Sequence, residues 1–475
     1  MKFRFLKFKL PLVARVGLLS LLGLTGPVRL KASDLPALWA ERLKSVVAVE
    51  YIAITETDRR PNVAFGIVAD KMGTIILPAA AIDPRAAAAQ MKDFKVYLPG
   101  DATSSTGEYL GQDVLTGWHF VRVEEKLRGQ LVPITAFAAP GVPPVPALAE
   151  EIWGLGLRNK DEDFAPYILK SHIALIQALP QRTAIAQQEI AGPGLPVFNL
   201  AGQFIGLAST SFGQTFVQFS RMERGGSPIM LINVEESSAF QLAEEVLPYL
   251  GRIPKNISGR PLAWLGADGF EPMDREVAAF LKLESQSGAV VSEILEGSPA
   301  EKAGMQARDI VLAIDGKPLP RFKPDRVVVA FVEREVERRV PGDVMAFTVL
   351  RGSERVELKA TLGDEPKLMR EAERKYFERL GFTAREFVYG DAVARRVKFT
   401  ERTGVVADFA RGNSPVATAG LRPDDWIREI DGVEVKTFAA AVEKLVAIEA
   451  DTQRTEFVLL VSRGGDTAVL RAKLK

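Results

Sequence analysis

Hydrolysis by covalent catalysis needs a Ser, Thr or Cys set against a general base, and the inventory here for that chemistry is thin. The 475 residues include no cysteine and only two histidines, His119 and His172. A glycine-bearing loop and hairpin, "AGPGLPVFNLAGQFIG" from Ala191 to Gly206, is followed by Ser209 and Ser211 in "GLASTSFG". The loop looks like a frame built around something absent, and its Pro193 has no backbone N–H. Isolated histidines without Cys, and without a His-Glu-x-x-His helix, make a poor zinc site, and no Gly-rich loop with an adjacent Lys offers a phosphate cradle. The expectation is therefore no metal and no cofactor.

Whatever chemistry the chain performs must be positioned by a frame of ordinary globular composition, 47% hydrophobic and 25% charged, with a length that suggests about three domains. The net charge is +1, but the first 32 residues carry Lys2, Arg4, Lys7, Lys9, Arg15, Arg29 and Lys31 and no acid. Taking those seven from 61 basic residues leaves 54 against 60 acidic ones, which disfavours nucleic acid as a partner. The basic start, the apolar run "VGLLSLLGL" and the close at "RLKAS" predict an export signal over 1–32, cleaved after Ala32 or retained as a short anchor. The run is too short to span a bilayer comfortably, so no membrane segment is expected after cleavage. A periplasmic or secreted location fits, and with no cysteine, stability rests on packing alone.

Next, "SDLPALWAERLKSVV" spaces Leu35, Leu38, Trp39, Leu43, Val46 and Val47 as an amphipathic helix. From Val49 to Gly206, short β-rich runs such as "NVAFGIVAD" and "PYILKSHIALIQ" alternate with Gly, Pro and Asp turns, a barrel or sandwich pattern. A helix over "EESSAFQLAEEVLPYL" is expected to close this unit before the linker "GRIPKNISGRP". Two copies of one pattern follow, "GAVVSEILEGSPAEKAGMQARDIVLAIDGKPL" and "GVVADFARGNSPVATAGLRPDDWIREIDGVEV". Each has a Ser-Pro helix start (Ser298, Ser414), a closing Gly (Gly304, Gly420) and an Asp-Gly turn (Asp315, Asp431), then a later amphipathic helix. Between the copies, "DEPKLMREAERKYFERL" alternates charges and reads as a solvated helix.

These copies resemble PDZ domains, which take an extended peptide as an added strand beside a groove helix and receive its terminal carboxylate on loop amides. The resemblance implies peptide-binding loops at Trp264, Leu265, Gly266 and Ala267, and at Arg379, Leu380, Gly381 and Phe382. Val328 and Phe331 would line the first groove and Val442 the second.

The Ala191–Gly206 stretch resembles the nucleophile loop of the HtrA (Deg-type) trypsin-like serine proteases, Gly-Asn-Ser-Gly-Gly-Pro before an Asn-x-x-Gly hairpin. With Pro196 as the family proline, Pro193 stands where that family has its Ser, and Ala191 and Leu195 replace two of its glycines. Similarly, "DKMGTIILPAAAI" sets Ala80 at the family His and "DVLTGWHFV" sets Gly117 at the family Asp. None of the three can move a proton or attack a carbonyl. His119 would fill volume released at Ala80, and His172 is an ordinary strand residue.

The resemblance implies a mainly β chain with a trypsin-like double β-barrel (33–251) and two PDZ-like α+β domains (260–364 and 371–475). It implies an inactive relative of serine endopeptidases that binds unfolded or C-terminal protein segments as scaffold, chaperone-like holder or regulator. Family members trimerise through N-terminal aromatic contacts, to which Trp39 and Tyr51 would contribute in a homotrimer or in a hetero-oligomer with an active homologue. The alternative is an active serine endopeptidase in protein quality control whose triad lies in another register, or whose nucleophile is another Ser such as Ser209 or Ser211 near His119.

Overall fold

The computed structural model describes residues 35–56, 58–83, 86–141, 143–177, 181–209, 239–254, 257, 262–398 and 403–474. The expected export signal, Ser211 and most of the linker lie outside the described residues.

The first helix, α1 (Leu35–Leu43), stops short of the expected Val47. A turn at Lys44–Ser45 ends it, with the Ser45 hydroxyl donating to the Arg42 carbonyl at 2.7 Å. Val46 and Val47 instead open strand β1 (Val46–Ile54). These β-branched residues are fully buried on opposite faces of an extended chain, a better use of their stiff side chains than a helix end.

Twelve strands close into two six-stranded barrels. The first comprises β1, β2 (Arg59–Val68), β3 (Thr74–Leu77), β4 (Met91–Tyr97), β5 (Ser104–Gln112) and β6 (His119–Val123), ordered β1-β2-β3-β6-β5-β4. The second comprises β7 (Glu151–Leu157), β8 (Pro166–Gln177), β9 (Thr183–Ala186), β10 (Pro196–Asn199), β11 (Phe204–Ala208) and β12 (Ala239–Leu242), ordered β10-β11-β12-β9-β8-β7. The apolar run of β1 follows from its place: Val47 and Val49 join the core of the first barrel, whereas Val46 and Ala48 join the cluster shared with the second. The closing helix expected over "EESSAFQLAEEVLPYL" is corrected: among the described residues, Ala239–Leu242 is a strand paired to β9 and β11, and the helical part shrinks to Ala243–Val246 and a 3-10 turn at Leu247–Tyr249. Barrel closure needs that strand, and its paired backbone replaces helical hydrogen bonds.

Each repeat is a small sheet with a helix on one face and has its own hydrophobic cluster. The punctuation works as its residue types require. Ser298 and Ser414 accept from the Glu301 and Ala417 amides as N-caps, and both Asp-Gly turns hold two residues at positive φ. A pairing not read from the sequence recurs in both copies: Arg351 grips nearly buried Asp309, and Arg463 grips nearly buried Asp425. The segment "DEPKLMREAERKYFERL" is not a solvated helix. It forms a short turn at Met369–Glu371 and a strand at Arg374–Phe377. Ala372, Phe377 and Leu380 are all buried, so the segment carries an inward apolar set that charge alternation concealed.

Candidate functional site

Three segments meet where the barrels face each other. The Ala79–Ala81 turn follows β3, Gly117 precedes β6, and the Ala191–Leu195 loop precedes β10. A Cβ added at Gly117 would stand 2.8 Å from Ala79 Cβ, and one added at Gly194 would stand 2.6 Å from Pro78 Cδ and 2.8 Å from the Phe65 carbonyl oxygen. Positive φ at Gly117 and Gly194 (+70° and +80°) suits these close approaches. Ala80, Gly117 and Pro193 thus lie on converging segments, and both Ala80 and Pro193 are exposed.

The loop's amides decide what it can do. Gly192 donates to the Leu155 carbonyl at 3.2 Å, Gly194 to Ala208 at 2.9 Å and Leu195 to Gly192 at 2.9 Å. Pro193 has no amide hydrogen, so a converging pair of donors for a developing oxyanion does not form. Leu195 is fully buried and turns into the core behind the loop.

His119 lies on β6 opposite Leu77 of β3 and Gln112 of β5. Its ring is 3% exposed, with Nδ1 2.9 Å from the Tyr109 hydroxyl, while Nε2 is buried without a hydrogen-bond partner. Burial is the main cause that holds its pKa down to about 4, opposed by the Ala79 backbone and aided by the Arg370 charge, so the ring is neutral near pH 7. The ring is buried as expected, packing toward Tyr109 and beside the Ala79 backbone. Ser209 Oγ is buried and has no hydrogen-bond partner, so the Ser209–His119 contact that an alternative catalytic pair requires is not formed. His172 sits on β8 opposite Glu151 as an ordinary strand residue.

Trp39 and Tyr51 are both consumed within the chain. Trp39 packs on Trp153 and Phe198, with ring centroids 5.6 and 5.9 Å away, and the buried Tyr51 donates to the Ala81 carbonyl at 2.7 Å. Neither presents an aromatic face for a subunit contact, which corrects the role expected for them.

In the first repeat, the Leu265 carbonyl accepts from Ala300 at 2.8 Å and the Gly266 carbonyl from Leu295 at 2.9 Å. Across trans peptides, the Gly266 and Ala267 amides therefore point the opposite way, and the Gly266 amide meets no acceptor among the described residues. Gly266 is held at φ +74°, and a Cβ there would meet Ser298 Cβ at 2.2 Å. The segment before this loop, Ala263–Trp264, pairs with Gly363–Asp364, and the outer edges of Ala267–Asp268 and Glu271–Pro272 are unpaired among the described residues. On the Val327–Glu337 helix, Val328 is fully buried in the core, whereas half-buried Phe331 packs tilted against Phe322 with ring centroids 5.0 Å apart. Trp264 is half-buried, meeting Tyr389 edge-on, and Leu265 is buried.

The second repeat differs. The Arg379 amide donates to Glu449 Oε1 at 2.9 Å, and the Gly381 amide to the Phe377 carbonyl at 2.7 Å. Leu380 and Phe382 are fully buried, and Val442 packs half-buried on the same cluster. Behind this groove lies a buried ionic network that sequence reasoning missed. Arg385 bonds Asp391 through both Nη atoms (2.7 and 2.9 Å) and reaches Asp408 at 3.1 Å. Burial pushes the Asp391 carboxyl up, but the Arg385 hydrogen bonds and charge outweigh it and hold its pKa below the usual value. The spacing of Arg385, Asp391 and Asp408 matches no recurring motif, so only the fold reveals it.

A PDZ domain model matches residues 290–333. Among curated proteins, a probable periplasmic serine endoprotease DegP-like from Ectopseudomonas mendocina is 27% identical over 263 residues, covering 53% of this chain and 49% of the relative. The protein of the same description from Chlamydia trachomatis is 24% identical over 275 residues, covering 57% and 48%. The matches thus span about half the length of these relatives. Among solved structures, an HtrA-type protease with tripeptide superposes with a TM-score of 0.50 at 16% identity, covering 69% of this chain and 96% of its own, a likeness of fold. The likeness to DegP-like endoproteases, the two closed barrels of trypsin-like type and the PDZ match together support an HtrA-type architecture for this chain.

Proposed function

We propose that the chain is a periplasmic or secreted pseudoprotease that recognises extended or C-terminal peptide segments without cutting them. The observation that carries this reading is the Ala191–Leu195 loop, where Pro193 supplies neither hydroxyl nor amide and the amides of Gly192, Gly194 and Leu195 are all committed within the chain. Loss of even one oxyanion donor costs about 100-fold or more in rate. Ala80 and Gly117 carry no group able to relay a proton. The outward-turned amides at Gly266 and Ala267, beside an unpaired strand edge, support peptide binding by strand addition. Relatives named as periplasmic endoproteases support the location.

The test is hydrolysis of an unfolded casein by the purified chain, with parallel labelling by a serine-reactive fluorophosphonate. Neither cleavage nor labelling is expected, while the same unfolded casein binds. Cleavage and labelling that both vanish on Ser209→Ala or Ser211→Ala would establish the alternative, an active endopeptidase with a rebuilt site.

A further inference from the structure

The two repeats share their punctuation but treat the peptide-binding edge in opposite ways. In the first, the segment leading into the loop turns away to pair with Gly363–Asp364. In the second, the leading segment folds back as Arg374–Phe377 and pairs antiparallel with the groove strand Phe382–Glu386. The register sets Arg374 opposite Arg385, Lys375 opposite Ala384, Tyr376 opposite Thr383 and Phe377 opposite Phe382. The other edge of Phe382–Glu386 is taken by Val405–Ala410, so both edges are filled.

An added peptide would use that same edge, run antiparallel to the groove strand, and end with its carboxylate at the Arg379–Gly381 amides. The strand edge and two of the loop amides, those of Arg379 and Gly381, are occupied from within the chain. Phe377 is the last residue before the loop and is fully buried against Phe382 (ring centroids 5.6 Å) within the cluster that contains Leu445 and Ile448 of the Phe438–Ala450 helix. Its carbonyl oxygen accepts from the Gly381 amide, and the Glu449 side chain places a carboxylate on the Arg379 amide. The Arg379 guanidinium caps the helix end, donating to the Glu449 and Asp451 carbonyls at 3.0 and 2.6 Å. Arg374 ties the strand down by sharing Asp408 with Arg385.

The geometry points to an internal pseudo-ligand: Arg374–Phe377, completed by the Glu449 carboxylate, occupies the peptide groove of the second PDZ-like domain and closes it to outside chains. The inference rests on the reading of these repeats as peptide receptors. A strand joined to the groove by so short a loop competes at an effective concentration of about millimolar or above. An outside peptide must displace it, so its apparent affinity falls by the fraction of time the groove stands open. The first repeat is then the resting receptor and the second is held in reserve.

Hydrogen exchange of the full chain, read by mass spectrometry, tests this in two steps. Without peptide, the amides of 374–377 are expected to exchange at least about 100-fold more slowly than free-chain rates. Exchange of that strand at free-chain rates overturns the inference whatever peptides do. A pool of short peptides with free carboxyl termini and randomised ends is then added. In the unaltered chain, new protection is expected at 265–272 and none at 379–386. In Glu449→Gln, and more so in Phe377→Ala with Glu449→Gln, protection is expected at 379–386 as well. Protection of 379–386 in the unaltered chain with 374–377 still slow would also overturn it. If the pool protects neither repeat in any variant, the receptor reading fails while occupancy of the groove still stands or falls on the first step. Glu449→Gln keeps the size of the side chain and is the variant read if Phe377→Ala unfolds.

Discussion

His119 offers a quantitative check on the interior of the first barrel. Folded, its pKa is held at about 4; unfolded, it returns toward the ordinary 6.5. Between those values the unfolded chain binds a proton that the folded chain refuses, so stability rises with pH. The contribution is fully present above about pH 6.5 and is lost as pH falls toward 4. A shift of about 2.5 units corresponds to about 3 kcal/mol in all, of which about 2 kcal/mol is lost between pH 7 and pH 5. The perturbation is His119→Gln, which removes the titrating ring and keeps a polar partner for Tyr109. Urea titrations of both proteins at several pH values, read by hydrogen exchange of peptides covering β6, isolate the effect from the other domains. A packing cost of the substitution is independent of pH and cancels in the comparison. The stability gap between the two proteins should narrow, or reverse in favour of the variant, by about 2 kcal/mol on going from pH 7 to pH 5. A gap that stays constant across that range refutes the buried neutral imidazole.

Three further outcomes are expected. Asp391→Asn leaves the Arg385 charge buried with only Asp408 and backbone partners, and should destabilise the second repeat by about 3 kcal/mol or more, measured as the denaturant midpoint of that domain. Ser414→Ala removes the cap on the Ala417 amide and should cost about 1 kcal/mol in the same assay, with Ser298→Ala costing a similar amount in the first repeat. Combining Ala80→His, Gly117→Asp and Pro193→Ser should leave casein hydrolysis undetectable, because a side chain at 117 collides with Ala79 at positive φ; turnover in that triple variant would show the frame to be more adaptable than its packing indicates.

Local rules read well wherever a residue type has one physical use. The Ser caps, the Asp-Gly turns and the hairpin from Pro196 to Ala208 stand where their sequence puts them, because each is specified within a few residues. Val46 and Val47 fall in a strand rather than the helix because an apolar run beside a helix fits either period until a sheet claims it. The strand at Arg374–Phe377 was hidden by its charged neighbours, since Phe377 and Leu380 are spaced for a hairpin whose partner strand lies beyond a tight loop. For the candidate site, the resemblance placed Ala80, Gly117 and Pro193 on segments that do converge. Commitment of the loop amides and the buried Arg385–Asp391 pair depends on carbonyls and carboxylates far along the chain, so no window of sequence contains them.

Leu195 gives the loop a structural role. Its side chain is fully buried and its carbonyl accepts from the Ala208 amide at 2.9 Å, so this loop position serves as a strut of the second barrel. Emptying a buried leucine costs about 2–5 kcal/mol, comparable to a large share of a domain's whole stability. Substituting Leu195 by glycine is therefore not a neutral change. Any change that opened position 195 would weaken the barrel at once, so the conformation of the loop is tied to the stability of the second barrel.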